Sequence, residues 1–132
     1  MQITEHFSSE EFNQPARHGF SEIVYPEKYL PFLFDLCAQL EIIRAQFNRP
    51  VTILSGYRSV SYNKAIGGAR NSQHVLGKAV DIAISEVKAS DVHRKIVELH
   101  NSGRIKIGGL GKYPGFVHVD VRPGHLVTWG GN

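Results

Sequence analysis

The segment 71–82, NSQHVLGKAVDI, combines a histidine, a glycine and an aspartate at a spacing that can build a metal site. Imidazole nitrogen and carboxylate oxygen are both good zinc ligands, and each must approach the ion to about 2 Å. On one straight strand His74 and Asp81 would lie roughly 23 Å apart, and on one helix about 10 Å apart. The two side chains can therefore share a metal only if the chain reverses between them, and Gly77 is the residue best able to make that reversal.

A second cluster lies in the short segment FVHVD, which contains His118 and Asp120. Strand alternation would put these two residues and Phe116 on one face and two valines on the other. A histidine and an aspartate that face away from a valine-lined core indicate a site. If His118 joins His74 and Asp81, two imidazoles and one carboxylate leave the fourth zinc position free for water, the arrangement of catalytic rather than structural zinc.

The elements that must position these residues follow from apolar periodicity and turn signals. Helical spacing and capping patterns predict four helices, namely a short one at the Ser8 capping box, 27–47, 61–66, and a helix capped by Ser90 that runs to about residue 100. Segments rich in β-branched residues predict five strands, namely 51–55, 79–85, 104–110, 116–121 and a short one near Leu126. A turn at 111–115 joins the third and fourth strands, and 69–78 is a loop. This order predicts an α+β domain with helices packed on a small, mostly antiparallel sheet.

Composition limits the classes of protein to which the chain can belong. Its 132 residues, 42% hydrophobic and 20% charged, predict a single domain, 1–132, with one modest core. The net charge of +3 is not concentrated in any run of Lys or Arg, so we expect no nucleic-acid partner. The single cysteine, Cys37, excludes an internal disulfide and a Cys-rich zinc site. Neither a basic leader nor a long apolar run is present, so we expect no signal peptide and no membrane partner.

Ser72-x-His74-x-x-Gly77-x-Ala79-x-Asp81 matches every fixed position of a motif of the zinc D-alanyl-D-alanine carboxypeptidases. That family includes phage endolysins that cut peptidoglycan peptides and the hedgehog signalling domain. Upstream, the sequence ILSGYRS resembles the strand that ends in Ser-Gly-Tyr-Arg in the family, and downstream HVD resembles its second metal-binding histidine. The resemblance covers roughly residues 28–122 and implies the family's α+β fold.

The resemblance also implies roles for individual residues. His74, Asp81 and His118 would be the zinc ligands, and Zn²⁺ the cofactor. Arg58 would bind a substrate carboxylate or carbonyl during catalysis, which suits the rigid fork of a guanidinium. Ser72 would form a hydrogen bond with the substrate backbone.

One position departs from the family pattern. Many members carry Glu or Asp three residues before the second histidine, as general base for the zinc-bound water, and here that position is Gly115. Asp120 is the nearest substitute, and we therefore predict that it is the catalytic base. The same residue could equally orient a ligand histidine from behind.

These observations predict a zinc-dependent peptidase that hydrolyses a peptide bond in peptidoglycan stem peptides, as a D,D-carboxypeptidase or as an endolysin-type endopeptidase. We expect a monomer that is made in the cytoplasm and is released to the cell wall like a phage or prophage lysin. The alternative, favoured by Gly115, is a catalytically inactive zinc-binding module such as a phage structural or assembly component. A metal-dependent nuclease is a weaker reading, because the chain lacks a clustered basic surface.

Overall fold

A computed structural model describes residues 1–130, so the last two residues of the predicted domain lie outside the described part. The strands are β1 (Gln2–Thr4), β2 (Phe7–Ser8), β3 (Val51–Ser55), β4 (Ala79–Ile84), β5 (Gly109–Lys112), β6 (Val117–Asp120) and β7 (Val127–Trp129). The helices are α1 (Leu30–Phe47), α2 (Val60–Ala65) and α3 (Ala89–Asn101), with 3-10 helices at Ser9–Phe12 and Glu27–Tyr29. Strands β1 and β2 form a small separate sheet, and the others form one sheet in the order β3-β4-β6-β5-β7. Its pairings are antiparallel except for β5 with β7, which confirms the predicted α+β class.

Helix α1 supplies a large part of the core. Its buried side chains recur at helical spacing, as predicted, and are Leu33, Leu36, Cys37, Leu40 and Ile43. The same core cluster includes one face of the two central strands, formed by Val80, Ile82, Val117 and Val119. Because side chains alternate along a strand, the other face of β4 and β6 carries Asp81, His118 and Asp120. In residues 1–130 no helix combines the length and the apolar character needed to cross a bilayer.

Two sequence predictions about the second half of the chain were wrong in detail. Ser90 does not cap α3, because the helix begins at Ala89 and the N-cap position is Lys88. The strand predicted at 104–110 begins only at Gly109. Ile105 and Ile107 are buried in alternation like strand residues, but they precede the ladder, and the N–H of Lys106 donates to the side chain of Gln39.

The two glycines of β5 explain why its bounds were predicted wrongly. Glycine is disfavoured in strand interiors unless another group approaches closely. A Cβ at Gly109 would lie 2.1 Å from Oδ2 of Asp120, and one at Gly111 would lie 2.4 Å from Nε1 of Trp129. Strand β5 therefore needs glycine at both positions to make room for side chains of its neighbours.

The predicted reversal between His74 and Asp81 is present at Gly77, which has a φ of +70°. The hydroxyl of Tyr25 donates to the carbonyl oxygen of Gly77. A Cβ at Gly77 would lie 2.7 Å from that hydroxyl oxygen and 2.8 Å from Cβ of Tyr29. Glycine is thus required here both by the left-handed backbone and by the two tyrosines packed against it.

Gly77→Ala and Gly67→Ala separate these two requirements, because Gly67 has a φ of +74° but open space where a Cβ would lie. We expect Gly67→Ala to lower the free energy of unfolding by about 1 kcal/mol, the cost of the left-handed backbone. Gly77→Ala should cost roughly 2–4 kcal/mol, because overpacking adds to that strain. Urea unfolding of the metal-free proteins measures both losses. Equal losses would contradict the claim that the tyrosines pack tightly on the turn.

Candidate metal centre

Three elements bring His74, Asp81 and His118 together, as the sequence predicted. In the antiparallel pairing of β4 with β6, Asp81 lies directly opposite His118. The turn at Gly77 returns the chain so that Nε2 of His74 lies 3.2 Å from Oδ1 of Asp81. Nδ1 of His118 lies 3.1 Å from the same oxygen. One ligand atom from each of the three buried residues lies within 4.8 Å of the others, a spacing that can hold a metal ion.

A second hydrogen bond on each histidine ring fixes which nitrogen faces this point. Nδ1 of His74 donates to the carbonyl oxygen of Gly56 at 2.7 Å, which leaves Nε2 to face Asp81. Nε2 of His118 donates to Oδ2 of Asp120 at 2.8 Å, which leaves Nδ1 to face Asp81. Metal-binding histidines use their other ring N–H in this way. The residues therefore fit zinc, with one nitrogen of each imidazole and one carboxylate directed at one point.

The electrostatics of the cluster favour a positive charge at its centre. Burial would raise the pKa of Asp81, but hydrogen bonds from His118 and His74 outweigh burial and hold that pKa well below its usual range. Burial lowers the pKa of His74, although its contact with Asp81 opposes the shift. For His118 the hydrogen bonds to Asp120 and Asp81 outweigh burial and raise the pKa. An ionised carboxylate between two imidazoles stabilises a proton or a metal ion at this point.

Asp120 contacts Nε2 of His118, whereas the other ring nitrogen, Nδ1, faces Asp81 and the candidate metal position. The side chain of Asp120 is fully buried, and it accepts hydrogen bonds from Nε of Arg122 at 2.8 Å, from Nη2 of Arg122 at 2.6 Å, and from His118. Burial would raise the pKa of Asp120, but these contacts lower it to about 2. Asp120 is also absent from the lining of the cavity above the cluster. A general base must reach a water in that cavity, so the geometry argues against the predicted base role and favours orientation of His118.

Arg58, which follows β3, lies beside the cluster and lines the cavity. Its Nη2 donates to Oδ2 of Asp81 at 3.4 Å. Nε donates to Oγ of Ser55 and Nη1 to Oδ1 of Asn63, both at 3.2 Å. These three contacts hold the guanidinium in one orientation before any substrate arrives.

Ser72 occupies the loop that carries His74. Its hydroxyl oxygen accepts a hydrogen bond from the backbone N–H of His74 at 3.2 Å, and the residue lines the cavity. The structure thus gives Ser72 a local role in fixing His74, and the hydroxyl proton remains available to another acceptor.

The candidate ligands form the floor of a cavity of about 640 Å³. The loop 67–73 forms one wall. Aromatic residues line the cavity as well: the rings of Tyr113 and Phe116 stack with centroids 4.5 Å apart, and Nε1 of Trp129 donates to the Tyr113 hydroxyl at 2.9 Å. The Trp129 ring lies 4.9 Å from the ring of His118. The volume is in the range of ligand-binding clefts.

Sequence reasoning missed Arg122. Arg122 could have been found by extending the alternation two residues beyond Asp120, which places it on the face of His118. Trp129 reaches the cavity because β7 pairs in parallel with β5, and a pairing between such distant segments leaves no local pattern.

The structure thus combines an α+β scaffold with a buried cluster of two histidines and one aspartate that can hold a metal ion. The chain belongs to the peptidase M15 family, whose family model matches residues 5–120. This confirms the resemblance seen in the sequence, and the donor set of the cluster fits a zinc ion.

Several relatives carry names that describe an activity. The chain is 34% identical over 108 residues to the probable peptidoglycan L,D-endopeptidase MepK of Haemophilus influenzae, a match that covers 76% of this chain and 54% of that protein. It is 32% identical over 100 residues to the peptidoglycan L,D-endopeptidase MepK of Escherichia coli, covering 70% and 51%. A shorter match, 45% over 38 residues, covers 29% of this chain and 15% of the zinc D-Ala-D-Ala carboxypeptidase of Streptomyces albus G. The chain spans about half the length of the MepK proteins.

We expect the purified protein to hold about one zinc ion per chain and His74→Ala to hold almost none, because two remaining ligands bind zinc far more weakly than three. His93→Ala is the matched control, since His93 lies on α3 and does not line the cavity. Elemental analysis of extensively dialysed protein measures the zinc. Full zinc content in His74→Ala would exclude this site.

Proposed function

We propose that the chain is a zinc peptidase that hydrolyses a peptide bond in peptidoglycan stem peptides. The observation that carries the proposal is the position of the His74, Asp81 and His118 cluster at the floor of an open cavity, with Arg58 held beside it. A structural zinc site is closed by four protein ligands, whereas a catalytic site keeps one position open. The names of the MepK relatives support peptidoglycan as the substrate.

In this proposal His74, Asp81 and His118 hold the zinc through Nε2, a carboxylate oxygen and Nδ1, respectively. Bound zinc would polarise the scissile carbonyl and lower the pKa of a water molecule. The protein contributes the fixed orientation of both rings, through Gly56 and Asp120. The buried floor also excludes bulk solvent from behind the site.

Arg58 and Ser72 position the substrate in the same proposal. The guanidinium is held by Ser55 and Asn63 and can bind a substrate carboxylate or carbonyl oxygen without first being ordered. Ser72 can donate its hydroxyl proton to a backbone carbonyl while its oxygen still accepts from the N–H of His74.

We assign Asp120 a positioning role rather than the base role that the sequence suggested. Its contacts with His118 and Arg122 fix the tautomer and the orientation of the ligand ring. Such a partner raises the basicity of the imidazole and thereby strengthens its bond to a metal.

The second candidate function is a zinc-binding module without peptidase activity. One observation favours it: among the described residues that line the cavity, Asp81 is the only carboxylate. A zinc peptidase needs a proton acceptor for its water, and Gly115 supplies none. The module would bind zinc in full and hydrolyse nothing.

Digestion of purified muropeptides by the zinc-loaded protein, followed by mass spectrometry, separates the two functions. We expect defined peptide fragments whose masses also reveal whether an L,D or a D,D bond is cut. Arg58→Lys should keep its zinc but lose roughly ten- to thousandfold in kcat/KM, because lysine lacks the bidentate fork. Arg104→Lys, at an exposed position outside the cavity, is the control. Intact muropeptides after digestion with fully loaded protein would refute the proposal and favour the module.

For Asp120→Asn we expect zinc affinity to fall about tenfold to a hundredfold, because the amide holds the ring of His118 less well. Activity at saturating zinc should largely return, and the acidic limb of the pH–rate profile should persist. Arg122→Gln, which leaves the contact between Asp120 and His118 in place, should change zinc affinity less. A loss of two to four decades in kcat at full zinc occupancy, with the acidic limb gone, would restore the base role.

A further inference from the structure

The charges in the cavity wall are not balanced. Three arginines line the cavity, Arg58, Arg70 and Arg122, against the single carboxylate of Asp81. Arg58 pairs with Asp81, and Arg122 pairs with Asp120 behind the wall. Within residues 1–130, Arg70 forms no ion pair and no side-chain hydrogen bond, so its charge is the one in this wall that no carboxylate offsets.

The backbone that carries Arg70 is nevertheless well fixed. Ser72 N–H donates to the carbonyl oxygen of Ala69 at 3.0 Å, which closes a turn with Arg70 and Asn71 at its corner. Nδ2 of Asn63 donates to the same carbonyl oxygen at 2.8 Å. Asn63 is buried and also accepts from Arg58, so the turn is tied to the guanidinium that lies beside the metal cluster.

The two guanidiniums therefore differ in what they can bind. Arg58 is shared with Asp81 at the floor, whereas Arg70 is exposed at the rim with its donors free. A free guanidinium binds a carboxylate in a bidentate pair, and an amide in the same place offers one acceptor and no charge. A wall of net positive charge suits a substrate that carries more than one anionic group.

We propose that Arg70 binds a free carboxylate on a stem-peptide residue flanking the scissile bond, and that it selects stem peptides in which this group is not amidated. This inference rests on the proposed function. It adds a specificity-determining residue, since the carboxylate at Arg70 is a different group from the one that Arg58 engages. Two groups of a stem peptide offer such a free carboxylate: its glutamate residue and its diamino acid.

Four synthetic stem peptides distinguish these sources: one with both carboxylates free, two amidated at one position each, and one amidated at both. With zinc-loaded full chain, we expect the wild type to prefer the free acid at one position by about three- to tenfold in kcat/KM, mainly through KM, the range of an exposed charge-assisted pair. The position at which amidation slows cleavage identifies the carboxylate that Arg70 binds.

Arg70→Ala should lose this preference by slowing cleavage of the free acid alone, with the amidated peptide cleaved as by the wild type. Arg70→Lys should keep part of the preference. Arg104→Ala removes the same charge from an exposed position outside the cavity and should keep all of it. An equal loss on free and amidated peptides in Arg70→Ala, or an absence of preference in the wild type, would overturn the inference. Failure of the wild type to cleave any of the four peptides would instead overturn the proposed function, and this inference with it.

Discussion

The pairing of Asp81 with His118 across β4 and β6 is the contact on which the site depends. Antiparallel register places the two residues directly opposite each other, on the face of the sheet that points away from the core. A shift of either strand by one residue would turn that strand's ligand into the core and bring an apolar residue to the cavity. The buried valines and isoleucines on the opposite face therefore hold the register, and through it the distance between the two candidate ligands. The turn at Gly77 then adds His74 to the pair.

Around this pair, the outer ring nitrogens of both histidines and the carboxylate of Asp120 all have hydrogen-bond partners. Gly56 and Asp120 accept from the outer nitrogens of the two histidines, and Arg122 balances the charge of Asp120. Buried charges are costly unless they are paired in this way. The arrangement leaves the inner nitrogens of both rings and the carboxylate of Asp81 directed at one point. Burial, tautomer and charge thus all favour a bound cation there.

Much of the fold and of the site could be predicted from local pattern. Alternation placed His118 and Asp120 on one face, and the seven-residue spacing from His74 to Asp81 required the reversal at Gly77. What escaped prediction depends on contacts between distant segments. Gly111 was assigned to a turn although it lies in β5, because its need to admit Trp129 shows only in three dimensions. Whether Asp120 faces the cavity or the back of His118 could not be read from the alternation, because both roles use the same strand face.

In the proposed site, three side chains hold zinc and a fourth position is open to the cavity. Anomalous diffraction at the zinc edge from crystals of the zinc-loaded protein is the sharpest test of this site. We expect one strong peak bonded to Nε2 of His74, to a carboxylate oxygen of Asp81 and to Nδ1 of His118, with Asp120 still on Nε2 of that ring. A peak elsewhere, a fourth protein ligand, or a zinc bound through Nε2 of His118 with Asp120 displaced would contradict it.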